Sequence, residues 1–155
     1  MIAHNVVTKS RIFTIGYEGV SMEKFLWKLR ETGIRRIIDV RCNPISRKPG
    51  FSKTALRNKL NEAGIEYVHI PTLGIPSSLR KSLQTDADYS ALFAHYESQI
   101  LPNAAAPVAE AVALIEEMPT ALLCFENDPQ HCHRTRLASY IASQNQAVEG
   151  PLHIR

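Results

Sequence analysis

Residues 121–141 read Ala-Leu-Leu-Cys-Phe-Glu-Asn-Asp-Pro-Gln-His-Cys-His-Arg-Thr-Arg-Leu-Ala-Ser-Tyr-Ile. An apolar run gives way to Glu126, Asp128, His131, Cys132, His133 and Arg134. No other stretch holds so much reactive chemistry in so few residues. His133 titrates near neutral pH and suits acid–base work, as does the carboxylate of Glu126. The rival role for His133 is a hydrogen bond to a backbone carbonyl that locks the loop. His131 is expected to face solvent. Cys132 lies near a helix start, beside histidines and an arginine, a setting that lowers a thiol pKa and activates a nucleophile; equally, a free cysteine is often a small buried hydrophobe. Arg134 precedes Leu137 by three residues and Ile141 by seven, so it lies near the buried stripe of its helix. A cation there needs an anion, either Asp39 or Glu126 internally, or a bound phosphate or carboxylate.

A second group surrounds a basic segment. Between residues 40 and 61 stand Arg41, Arg47, Lys48, Lys53, Arg57 and Lys59, with no acidic residue. Such a segment favours an anionic ligand, the alternative being a solvated basic face. Arg41, Arg47, Lys48 and Lys53 are expected to line one wall of a pocket, with residues 46–53 closing over the anion as a lid. Tyr17 and Phe51 can stack on a base or simply pack. Glu18, Asp39 and Glu126 offer carboxylate chemistry if two of them share a pocket, although Asp39 can instead fix Arg41, Arg134 or a loop. Metal ligation by Cys124, His131, Cys132 and His133 is not expected. No Cys-x2-Cys pair exists, and three adjacent residues do not converge easily on one ion. Cys124 is read as core, Cys42 as a weak nucleophile candidate, and no cofactor is called for.

These groups must be carried by elements. Residues 11–17 are rich in β-branched and aromatic residues and read as a strand. Ser21 can cap a helix with Met22, Phe25, Leu26 and Leu29 on one face, ended by Gly33. Residues 36–40, Arg-Ile-Ile-Asp-Val, form a strand covered on both faces. Ser52 caps the next helix and Gly64 stops it. Residues 65–70 are a third strand, 71–82 an irregular loop. Tyr89 to Ile100 mark a helix broken by Pro102, and another carries Val108, Ala111, Val112 and Ile115. Residues 120–126 are the fourth strand. Asp128-Pro129 signals a helix start, and residues 151–155 add a terminal strand. Strands alternating with helices predict one α/β domain over residues 11–155, with a mostly parallel sheet of four to five strands and a loose lead-in over 1–10. Ligands of such sheets bind beyond the carboxyl ends of the strands, where Tyr17, Glu18, Asp39, Arg41, His69 and Glu126 fall.

The 155 residues carry a net charge of +3, with 45% hydrophobic and 21% charged residues. These values suit a globular protein and do not by themselves demand nucleic acid. Three cysteines do not make a disulfide framework and point to a reducing compartment. Neither a signal peptide nor a membrane span is expected, so cytoplasmic location is the expectation.

Several phrases, taken together, resemble the DUF488 family, a domain of unknown function: Thr14-Ile-Gly-Tyr-Glu-Gly19, Ile38-Asp-Val-Arg41, Ser46-Arg-Lys-Pro-Gly-Phe-Ser-Lys53, His69-Ile-Pro-Thr-Leu-Gly74, Leu123-Cys-Phe-Glu126 and Cys132-His-Arg134. The resemblance runs from about Arg11 to the terminus, and Pro151-Leu-His-Ile154 is similar to the family's closing strand. It implies an α/β fold and gives weight to Glu18, Asp39, Arg41, Glu126, Cys132, His133 and Arg134, but brings no reaction. Residues 37–41 are also similar to the opening strand of rhodanese domains. The Cys-x5-Arg cradle of rhodanese-like and phosphatase loops is missing here.

Three functional expectations follow. The first is an enzyme acting on a phosphate-bearing substrate, a nucleotide or nucleic acid, with Arg134, Arg41 and Lys48 holding the anion and His133 and Glu126 as acid and base. The second is a non-catalytic nucleic-acid module using residues 41–59. The third is a thiol enzyme using Cys132.

Overall fold

The computed structural model describes residues 9–155, so most of the expected lead-in lies outside the described residues. Five strands form one sheet: β1 (Ser10–Gly16), β2 (Arg36–Asp39), β3 (Glu66–His69), β4 (Thr120–Cys124) and β5 (Val148–Ile154). Their order is β3-β2-β4-β1-β5, and every pairing is parallel. The α/β architecture is the expected one.

Side chains of consecutive strand residues point to opposite faces, and here both faces are apolar. Ile12, Ile38, Val40, Leu122 and Cys124 belong to one buried cluster. Ile15, Ile37, Ala121 and Leu123 belong to the other. Helices α1 (Met22–Thr32) and α2 (Lys53–Glu62) cover the second cluster through Phe25, Leu29, Leu56 and Leu60. Helices α3 (Asp86–His95), α4 (Ala105–Glu117) and α5 (His133–Gln144) cover the first through Leu92, Phe93, Ala111, Ile115, Leu137 and Ile141. Each fully buried Leu, Ile or Phe contributes about 1.5–3 kcal/mol. Three layers result, with β4 buried along its whole length. Among the described residues, no helix is long and apolar enough to cross a membrane.

Local signals explain the ends of α1. Ser21 Oγ accepts from Lys24 N at 3.1 Å, and Gly33 takes a left-handed φ of 76° that closes the last turn. Elsewhere the elements depart from expectation. Ser52 precedes α2 without capping it, because its hydroxyl is spent on Ser46, donating to the carbonyl and accepting from the amide. Asp128-Pro129 starts only a 3-10 turn, Pro129–His131, whose first amide Asp128 satisfies through Gln130 N. Cys132 then turns extended, with φ −132° and ψ 140°, so α5 begins at His133. The helix expected through Ile100 changes to a π-helical turn at Tyr96–Ile100, where the Tyr96 hydroxyl donates to Leu73 O at 2.5 Å. The terminal strand starts at Val148 rather than at residue 151, since Ser10 and Arg11 of β1 already pair with Val148 and Glu149.

Candidate functional site

The central strands β2, β4 and β1 end at one cavity of about 370 Å³. Arg41 and the loop after β2 supply one wall, and Phe125 and Glu126 after β4 supply another. Arg80, from the irregular 71–82 loop, and His133, from the first turn of α5, close the side. Tyr17 follows β1 at the same level, its amide and that of Glu18 both donating to Phe125 O. Gly16 and Gly74 permit this convergence. A Cβ on Gly16 would stand 2.0 Å from Glu126 O, and one on Gly74 would stand 2.3 Å from Cys42 N.

Asp39 and Arg41 form the rigid floor. Both Asp39 oxygens face Arg41, at 2.9 Å to Nε and 2.7 Å to Nη2. The Tyr67 hydroxyl donates to Asp39 Oδ2 at 2.5 Å. Arg41 Nη1 reaches Tyr17 Oη at 3.0 Å and Phe51 O at 2.7 Å. Burial works against the charge of Arg41, but the bidentate pair with Asp39 outweighs it and raises the guanidinium pKa. His69 Nε2 contacts Arg41 O at 2.8 Å. This buried pair fixes the loop and neutralises itself.

The other cations are less committed. Lys48 Nζ donates to Tyr17 O at 3.2 Å and lies over the Phe51 ring. Arg47 is exposed on the cavity wall. Arg80 Nη1 meets Glu126 Oε1 at 3.2 Å and Nη2 meets His133 Nδ1 at 2.9 Å, while its buried Nε has no partner among the described residues.

His133 is wholly buried and uses both ring nitrogens. Nε2 lies 2.8 Å from Val40 O, a pure acceptor, so Nε2 carries the proton and Nδ1 accepts from Arg80. Burial, then the charge of Arg80, lowers its pKa to about 3. His133 lines the cavity, as expected of a site residue, and there its neutral imidazole holds Arg80. Glu126 is the carboxylate that lines the cavity.

Arg134 corrects the reading of its anion. It lies outside the cavity lining, buried, with Nη1 on Glu126 O and Nη2 3.2 Å from Asn127 O. Among the described residues no carboxylate side chain pairs with it; the carbonyls of Glu126 and Asn127 accept from Nη1 and Nη2, and its buried Nε has no partner. Burial lowers its pKa to about 10, against the opposing pull of Glu126 and Asp128. Glu18 and Lys53 also stand away from this cavity. Tyr17 and Phe51 stack on each other, centroids 4.5 Å apart and 9° from parallel, so their faces are occupied. Phe125 and Ile45 are instead the exposed apolar groups on the wall, at 44% and 73%.

The cysteines depart from expectation too. Cys124 and Cys132 are joined through their sulfur atoms, and Cys132, at 1% exposure, does not reach the cavity. The cavity-lining sulfurs are Cys124 and Cys42. Cys124, Cys132 and His133 put donor atoms within 4.8 Å of one another, the one such trio among the described residues. The trio fits a cation poorly: both His133 nitrogens are engaged and Arg134 Nη1 stands 3.4 Å from Cys124 Sγ.

Sequence reasoning misses Arg80. The family phrase in its loop stops at Gly74, and only the fold brings Arg80 against residues 46 and 53 positions away.

Fold and site define a parallel α/β protein with a cation-lined cavity at the carboxyl ends of its central strands. A family model described as a domain of unknown function, DUF488, matches residues 21–141, and the chain belongs to that family. The match includes β2, β3 and β4 and leaves β1 and β5 outside. No curated protein and no solved structure matches the chain.

Proposed function

We propose that the cavity binds the phosphate of a small nucleotide-like substrate, with Arg47, Lys48 and Arg80 as its cations and Glu126 as the acid–base group of an enzyme. One observation carries this reading. Four cations line one cavity: Arg41 is paired with buried Asp39 and Arg80 with Glu126, while among the described residues Arg47 and Lys48 have no carboxylate partner. Net positive charge at the carboxyl ends of parallel strands suits an anion. The unpartnered Nε of Arg80 adds a donor that an anion can satisfy. Phe125 and Ile45 offer apolar surface to a base beside it.

A second reading rests on the exposed cations of α2. Lys53, Arg57 and Lys59 face solvent, and a polynucleotide could run from them to the cavity.

Thermal-shift measurements with inorganic phosphate, mononucleotides and short oligonucleotides test the proposal. Phosphate or a mononucleotide is expected to raise the midpoint of the wild type, by an amount that grows with concentration. Arg47→Ala, which removes an exposed side chain, is expected to reduce the shift without lowering the unliganded midpoint. The absence of a shift with every anion would overturn the reading.

A further inference from the structure

The cysteines at the two ends of the 125–131 loop hold chemistry that phosphate binding does not use. We propose that Cys124 and Cys132 are a redox-active dithiol that reduces low-molecular-weight disulfides entering the cavity, Cys124 attacking and Cys132 resolving.

The two sulfurs meet directly although eight positions separate them. Their surroundings are unequal. Cys124 lines the cavity and Cys132 lies behind it. Arg134 Nη1, 3.4 Å from Cys124 Sγ, favours a thiolate there. Glu126 Oε2, 3.4 Å from the same sulfur and on the cavity side, can take the thiol proton. Cys132 Sγ accepts from Arg134 N at 3.4 Å, at the first turn of the 12-residue α5, where a helix terminus favours negative charge. A metal would need His133 Nε2 or Nδ1, and both are occupied.

The chemistry balances. Cys124 passes its proton to Glu126, and the thiolate attacks one sulfur of RS–SR. The Cys124–SR bond forms, the S–S bond of the substrate breaks, and the departing RS⁻ takes the proton from Glu126. Cys132, as thiolate, then attacks Cys124 Sγ and expels the second RS⁻, which takes up the proton that Cys132 released. Two electrons move from the cysteines to the substrate, giving two RSH and the Cys124–Cys132 disulfide. A low-molecular-weight thiol in excess reverses the sequence and restores the dithiol.

The full chain, reduced and desalted, is mixed with bis(2-hydroxyethyl) disulfide, which is neutral, or with oxidised glutathione, which is anionic, then alkylated and mapped by mass spectrometry. The wild type is expected to consume one equivalent of disulfide and to lose alkylation at Cys124 and Cys132 while Cys42 stays alkylated. Cys132→Ser is expected to accumulate a mixed disulfide at Cys124, and Cys42→Ser to behave as the wild type. The wild-type measurement alone decides if a variant fails to fold. Full alkylation of all three cysteines, a mixed disulfide confined to Cys42, or zinc retained by the reduced protein with both thiols blocked would each overturn the proposal. The neutral probe separates this proposal from the anion reading. Reaction with both probes at equal rates supports the dithiol and counts against a cationic substrate site. Several-fold faster reaction with the anionic probe at low salt supports both.

Discussion

His133 shows how its neighbours decide what a titratable side chain can do. Its pKa falls from an ordinary 6.5 to about 3, chiefly through burial and then through Arg80. Between those two values the unfolded chain binds more protons than the folded one, so this residue makes stability fall as pH drops from about 6.5 toward about 3. The slope has an upper limit of about 1.4 kcal/mol per pH unit. His133→Asn keeps an acceptor near Nδ1 and does not titrate. Urea midpoints of the two proteins from neutral pH down to mildly acidic pH should therefore converge with acidification. At neutral pH the variant should be the weaker by about 1–3 kcal/mol, since Val40 O loses its donor. A gap that stays constant across the range would remove the neutral, buried imidazole from the account. None of this is legible in Cys132-His-Arg134. The partners of His133 stand 93 and 53 positions away, and local context cannot distinguish a base from a strut.

At the scale of elements, what can be read from the chain is what is locally encoded. Ser21 and Gly33 bracket α1 because a hydroxyl and a left-handed glycine act within one turn. The alternation of Ile12, Ile15, Ile37 and Ile38 between two faces announces a sheet covered on both sides. The start of α5 falls later than Asp128-Pro129 signals, because Cys132, not Asp128, is the cap residue. The site is legible as a set of strand ends, but Arg80 is hidden in a loop whose position only tertiary packing sets. Gly16 belongs to the same non-local class. It falls inside the expected 11–17 strand with nothing local to mark it, yet a Cβ there would stand 2.0 Å from the backbone oxygen of Glu126, which cannot rotate away. Gly16→Ala should cost about 1–3 kcal/mol by overpacking and displace Glu126 from Arg80. Ser21→Ala should cost about 1 kcal/mol by losing a cap and leave the cavity alone. Thermal midpoints and phosphate titration of both variants check this pair. Equal phosphate response in the two would refute a role for Gly16 in placing the 125–131 loop.

The whole molecule divides its basic segment in two. Arg41, Arg47 and Lys48 turn to the cavity, whereas Lys53, Arg57 and Lys59 lie on the exposed face of α2. Among the described residues, Lys59 alone of these three has a carboxylate in reach, Glu62 at 3.8 Å, an exposed pair worth little in water. A small phosphate ester of the size the cavity admits touches only the first set. A polynucleotide is long enough to touch both. Paired charge reversals, Lys53→Glu with Arg57→Glu, separate the two modes because α2 packs through Leu56 and Leu60 on its other face. Mononucleotide affinity should change by less than about three-fold at 0.15 M salt, where exposed charges beyond about 8 Å are screened. If the chain serves polynucleotides, oligonucleotide affinity should fall sharply. The slope of log K against log salt should then shrink by about 0.7 for each phosphate of a single strand that the protein no longer neutralises. Fluorescence anisotropy over a salt series measures both quantities on the same protein. A loss of mononucleotide binding equal to that of oligonucleotide binding would mean that the exposed helix belongs to the site and that the cavity does not act alone.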